Sequence, residues 1–99
     1  MASPELFKVI VIDESMHRQL AVKNMLPWKE LNCDIVAFAQ NNKDAYRLYS
    51  EIRPQIIILG VTGRRLDRIP LIHQIRRNDR DVQILLVSST CPLFGDACG

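Results

Sequence analysis

Asp13-Glu14, Gly60 and Ser88-Ser89 are the positions at which this chain could do chemistry, because each closes a short apolar run. The runs are Val9-Ile10-Val11-Ile12, Ile56-Ile57-Ile58-Leu59 and Ile84-Leu85-Leu86-Val87. Their length and β-branched character suit strands covered on both faces. If such strands lie parallel and adjacent, their carboxyl ends meet in one crevice outside the sheet, where open α/β folds bind ligands. Acid, glycine and hydroxyl converging there make most of a phosphoryl-accepting site. The nucleophile is missing, since glycine has no side-chain oxygen.

The elements that must position these groups are legible between the runs. Phe7 to Ile12 reads as strand one. Ser15 can cap a helix over residues 15–26, with Ala21, Val22, Met25 and Leu26 on one side and Pro27 as its stop. Cys33 to Ala39 reads as strand two, and Asn41-Asn42 as its exit turn and the next cap. Ala45, Leu48, Tyr49 and Ile52 recur at helical spacing, and Pro54 bounds that helix. Gln55 to Leu59 is strand three, followed by a polar, arginine-bearing loop from Val61 to Asp67. A third helix follows, with Pro70 in its first turn and Ile69, Ile72 and Ile75 on its buried face. Val82 to Val87 is strand four, and Cys91-Pro92-Leu93-Phe94-Gly95-Asp96-Ala97 reads as the start of a further helix.

Strands alternating with helices predict a parallel sheet joined by right-handed crossovers. The expected fold is α/β and flavodoxin-like, with strand order 2-1-3-4. Strand four then lies at an edge although it is as apolar as a central strand, which invites pairing with another chain. A dimer or an aggregation-prone monomer is expected.

The 99 residues suit one domain. An apolar fraction of 47% with 24% charged residues argues against disorder, and a net charge of +2 selects no nucleic-acid or membrane partner. No apolar stretch approaches the roughly 20 residues that span a bilayer, and the amino terminus lacks a basic region followed by an apolar core, so a cytoplasmic protein is expected. Cys33, Cys91 and Cys98 form neither an even disulfide framework nor a zinc pair.

The segments Lys8-Val9-Ile10-Val11-Ile12-Asp13-Glu14, Arg53-Pro54-Gln55-Ile56-Ile57-Ile58 and Ile84-Leu85-Leu86-Val87-Ser88 resemble the receiver (CheY-like) domains of two-component response regulators. The likeness covers about residues 7–90, so 1–99 reads as one receiver domain truncated before strand five. Lys23-Asn24-Met25-Leu26-Pro27-Trp28-Lys29-Glu30-Leu31 further resembles the regulators whose receiver precedes an AraC-class DNA-binding domain. The resemblance implies a histidine kinase as phosphoryl donor and an aspartate acceptor at the end of strand three. It also implies magnesium held by an acidic pair, a switch hydroxyl on strand four and a lysine after strand five. By position, the acidic pair is Asp13 and Glu14, the acceptor position Gly60, the metal-holding backbone carbonyl Thr62 and the switch hydroxyl Ser88. The lysine, strand five and its helix have no counterpart.

Phosphorylation at position 60 is thereby excluded, and magnesium is expected to bind weakly if at all, since a hard cation wants an oxygen cage. Arg64 or Arg65 could supply an internal cation to Asp13 and Glu14, or the loop is simply solvated. Asp67 reads as a helix cap, with an alternative acceptor role for Asp67 or Asp13 left open. Ser88 and Ser89 are either relict switch groups or strand-end hydroxyls. His17 and His73 have no ligand partners at useful spacing. The arginines 64, 65, 68, 76, 77 and 80 give a basic bias that Asp67, Asp79 and Asp81 dilute. The function expected is that of a degenerate receiver in phosphorelay signalling and transcription regulation, acting through protein contacts and not as an enzyme. A small flavodoxin-like enzyme or nucleotide binder is the contrasting reading, disfavoured because no glycine-rich loop follows strand one.

Overall fold

The computed structural model describes residues 6–61 and 68–88. Within them β1 (Phe7–Ile12), α1 (Met16–Met25), β2 (Cys33–Ala39), α2 (Asn42–Ile52), β3 (Ile56–Val61), α3 (Ile69–Asn78) and β4 (Gln83–Ser88) alternate, and a 3-10 turn, Trp28–Leu31, leads into β2. All strand pairs are parallel, in the order β2-β1-β3-β4 expected for a flavodoxin-like sheet. In-register pairing of Ile12 with Leu59, and of Gly60 with Val87, brings the carboxyl ends of the three apolar runs side by side.

Because side chains alternate across a strand, each strand feeds two cores. One face buries Ile10, Ile12, Ile57 and Leu59 beneath α2 and α3 with Ala45, Tyr49, Leu71 and Ile75. The other buries Val9, Val11 and Ile58 beneath α1 with Val22 and Cys33. Tyr49 is fully enclosed, and its hydroxyl accepts from Arg53 Nη1 at 2.9 Å. α2 ends at its cap residue Arg53, whose N–H donates to the Tyr49 carbonyl at 2.8 Å and whose left-handed backbone (φ 54°) turns the chain out of the helix.

Two helix faces differ from the periodicity reading. On α1 the buried residues are Gln19 and Val22, whereas Ala21, Met25 and Leu26 face solvent. Three- and four-residue spacing allows more than one stripe on so short a helix, and the stripe chosen is the one that lets Gln19 bond the strand ends. On α3, Leu71 and Ile75 are buried and Ile69 is exposed; Arg68 stands at the cap position with no side-chain cap hydrogen bond, and Asp67, the expected cap, lies outside the described residues. The Ser15 and Asn41 caps form as expected, accepting from Arg18 N at 3.3 Å and Asp44 N at 2.8 Å.

Asp79, after α3, turns the chain into β4: its Oδ1 accepts from Asp81 N at 2.9 Å and Val82 N at 3.1 Å. The Asp81 N–H foremost, then that of Val82, holds this carboxyl below its ordinary range despite an opposing contribution from burial. A depressed carboxyl stabilises the fold above its unfolded pKa of about 3.9, and that contribution is lost as pH falls through the lower, folded value. Asp79→Asn keeps the acceptor oxygen but cannot ionise. Its unfolding midpoint should therefore fall less than that of the parent between about pH 5 and pH 3, as followed by circular dichroism.

Candidate functional site

Asp13 directly follows β1, and its N–H continues the β1–β2 ladder by donating to the Ala39 carbonyl at 2.9 Å. Here the chain turns into α1, and Ser15 N donates back to Asp13 Oδ1 at 2.9 Å, closing a tight side-chain turn. The Asp13 residue is only 3% exposed. Both of its oxygens accept from Arg18 Nε at 3.0 Å, and Arg18 Nη2 lies 3.0 Å from Oδ1. A planar guanidinium gripping a carboxylate by two nitrogens is a strong charge-assisted arrangement.

The carboxylate sits over Gly60. A β-carbon built on Gly60 would lie 2.6 Å from Asp13 Cγ and 3.1 Å from its Cβ, and nearer still to Oδ2. Any side chain at position 60 would thus contest the space that the Asp13 carboxylate fills.

Gln19 completes the arrangement. Its buried amide donates to the Asp13 carbonyl at 2.8 Å and the Ala39 carbonyl at 3.3 Å, tying α1 to the ends of β1 and β2. Neither Gln19 nor Arg18 was identified from the sequence. The available signal was the spacing of 15, 18, 19 and 22, which shares one helical face with Asp13 at its amino-terminal end.

Of the expected site residues, the fold brings Asp13 and Gly60 together. Glu14 adjoins them in sequence, but its side chain is 67% exposed and reaches only the edge of Arg18, at 4.0 Å. Ser88 closes β4 and pairs in register with Val61, one residue beyond Gly60. Thr62, Arg64, Arg65 and Asp67 lie outside the described residues, as do Ser89, Cys91 and Cys98. Among the described residues the cation that Asp13 receives is Arg18, from the first turn of α1.

These groups do not fit a divalent cation. Both Asp13 oxygens are engaged by arginine, Gly60 offers no side-chain oxygen, and the Glu14 side chain is largely exposed. Among the described residues no group of three or more His, Cys, Asp or Glu could hold a metal ion. Arg76, in the basic stretch, is engaged structurally, donating to the Val82 carbonyl at 2.6 Å.

No protein-family model matches the chain. It is 26% identical over 84 residues to the chemotaxis protein CheY of Listeria monocytogenes, covering 85% of this chain and 69% of that protein. The receiver domain of AraT, a response regulator of Geobacillus stearothermophilus, superposes with a TM-score of 0.75 at 18% identity, over 84% of this chain and 64% of that one. A two-component transcriptional regulator AraC from Clostridium phytofermentans superposes with a TM-score of 0.73 at 19% identity, over 91% and 69%. In fold the chain matches receiver domains of response regulators, and in sequence it is similar to CheY, a chemotaxis protein. The chain spans about two-thirds of the length of these relatives.

Proposed function

We propose that this receiver is a degenerate one: a pseudo-receiver that takes no phosphoryl group at the usual strand-three position and acts through protein contacts in two-component signalling and transcription regulation. The observation that carries this reading is Gly60 with the Asp13 carboxylate lying over it. An acyl phosphate needs a carboxylate nucleophile, and position 60 has none. Asp13 is no substitute, being buried and gripped on both oxygens by Arg18. An enzymatic role is not part of this reading.

A histidine kinase or another regulator is the natural class of partner, and a cytoplasmic setting follows from that role. No helix among the described residues is long and apolar enough to cross a membrane. The likeness to an AraC-class regulator supports a place in transcription control. Direct nucleic-acid contact by this segment is not part of the reading.

Incubation with acetyl phosphate or a histidine kinase, followed by intact-mass measurement, tests the proposal. The mass is expected to stay unchanged. A hydroxylamine-labile phosphate adduct would show instead that an aspartate such as Asp13 or Asp67 accepts the group.

The edge strand supplies a contact surface. Leu85 and Leu86, successive residues on opposite faces of β4, are 51% and 56% exposed, and an uncovered apolar edge is a template for pairing. Self-association through β4 is therefore proposed. Leu86→Lys, which places a charge on that edge, should shift sedimentation at high concentration toward monomer; a parent protein that is already monomeric there would remove this part of the proposal.

A further inference from the structure

We infer that Arg18 is the resident cation of this pocket, an intramolecular stand-in for a divalent metal. In this inference the Asp13–Arg18 pair, seated in the space left by Gly60, forms a fixed latch between the amino-terminal turn of α1 and the ends of β1 and β3. It rests on the degenerate-receiver reading and specifies how the vacated site is kept closed.

Three observations converge on it. The first is charge: Asp13, nearly fully buried, has its carboxylate matched by a guanidinium that contacts both oxygens at 3.0 Å. A buried carboxylate without such a partner would be strongly disfavoured. The second is space: a β-carbon at position 60 would lie 2.6 Å from Asp13 Cγ, so the conformation that meets Arg18 is compatible only with glycine there. The third is direction: Ser15 N donates to Asp13 Oδ1 at 2.9 Å, and Ser15 also caps the turn of α1 that carries Arg18. One short segment thus aims both members of the pair.

A metal ion and this arginine would compete for the same oxygens. A hard cation requires several unengaged oxygen ligands, and the latch leaves Asp13 none. The pocket is consequently held in one charge-neutralised arrangement irrespective of magnesium. Gly60 then has a definite role beyond the loss of a nucleophile, because it makes room for the carboxylate that Arg18 binds.

Calorimetric titration with magnesium chloride, repeated with manganese chloride, tests the exclusion. The parent protein should show no saturable heat below roughly millimolar metal. Arg18→Gln, which removes the guanidinium from both Asp13 oxygens and leaves only the Ser15 N–H on Oδ1, should bind at least tenfold more tightly, and Asp13→Asn combined with Arg18→Gln should lose that gain. Tight, stoichiometric binding by the parent, or no gain in Arg18→Gln, would overturn the inference.

A thermal-melting cycle addresses the latch without metal, and decides the matter if Arg18→Gln does not fold. Gly60→Ala should lower the Tm by on the order of 5 °C in the parent and change it little in an Asp13→Ala background. Equal shifts in both backgrounds would show that Asp13 does not occupy the space over Gly60. Failure in either experiment with an unchanged mass after acetyl phosphate would remove the latch and leave the degenerate receiver standing; an acyl-phosphate adduct would remove the parent reading itself.

Discussion

Gly60→Asp, which places a carboxylate in strand three beside Asp13, is expected to destabilise the protein by about 3–5 kcal/mol. The new Cβ would lie 2.6 Å from Asp13 Cγ, far inside van der Waals contact. Asp13 cannot easily retreat, because Arg18 and the Ser15 N–H hold it. A second carboxylate would also share a buried site in which the Arg18 guanidinium is already matched by Asp13, and like charges at that range raise each other's cost of ionisation. Native stability for a chain of this length is about 5–15 kcal/mol, so the variant should unfold at a much lower urea concentration. Comparison with Gly60→Asn separates the causes: the neutral side chain keeps the crowding, of about 1–3 kcal/mol, and removes the charge. Equilibrium urea unfolding at unchanged m-value is the measurement. A Gly60→Asp protein as stable as the parent would mean that Asp13 is free to leave.

Tyr49→Ala should be as damaging, at about 3–5 kcal/mol. Tyr49 is 1% exposed in the core between α2 and the sheet. Its ring lies 5.8 Å from that of Tyr46, and the Arg53 guanidinium sits 5.2 Å above it. Truncation would remove the packing, the cation's aromatic platform and the acceptor for Arg53 together. Tyr49→Phe keeps the ring and loses only the hydroxyl, so about 1 kcal/mol is expected. Burial foremost, and then the Asp79 charge, raises the Tyr49 pKa, against a smaller downward pull from Arg53. A raised folded value means the associated stability is complete below the unfolded pKa near 10 and disappears as pH rises through the folded one. Alkaline unfolding should accordingly be shallower in Tyr49→Phe than in the parent, as followed by circular dichroism.

The two variants probe different kinds of information in the chain. Tyr49 was legible as a core residue because Ala45, Leu48, Tyr49 and Ile52 repeat at helical spacing, and the fold buries Ala45 and Tyr49 and partly buries the other two. α1 was less legible: its apolar residues Leu20, Met25 and Leu26 are more than 40% exposed, while polar Gln19 is buried. A period of 3.6 admits competing stripes over ten residues, and here hydrogen bonds to the Asp13 and Ala39 carbonyls decide between them. Arg18 escaped the sequence reading because it lies five positions beyond Asp13, outside the strand that presents the acid. Among the described residues it is Arg18 that reaches the Asp13 carboxylate, and Arg64 and Arg65, which follow Gly60 in sequence, lie outside them.

The order of strands and helices, the parallel sheet, and the delivery of acid and glycine to neighbouring strand ends were set by local pattern: apolar runs, capping residues and prolines are short-range signals that survive in one dimension. What required three dimensions was the occupancy of the pocket. Position 60 is 47 residues from Asp13, and only the β1–β3 register sets one above the other; only the entry angle of α1 swings Arg18 across both oxygens. Charge pairing and steric exclusion act through space over a few ångströms, and separation along the chain carries no measure of that distance.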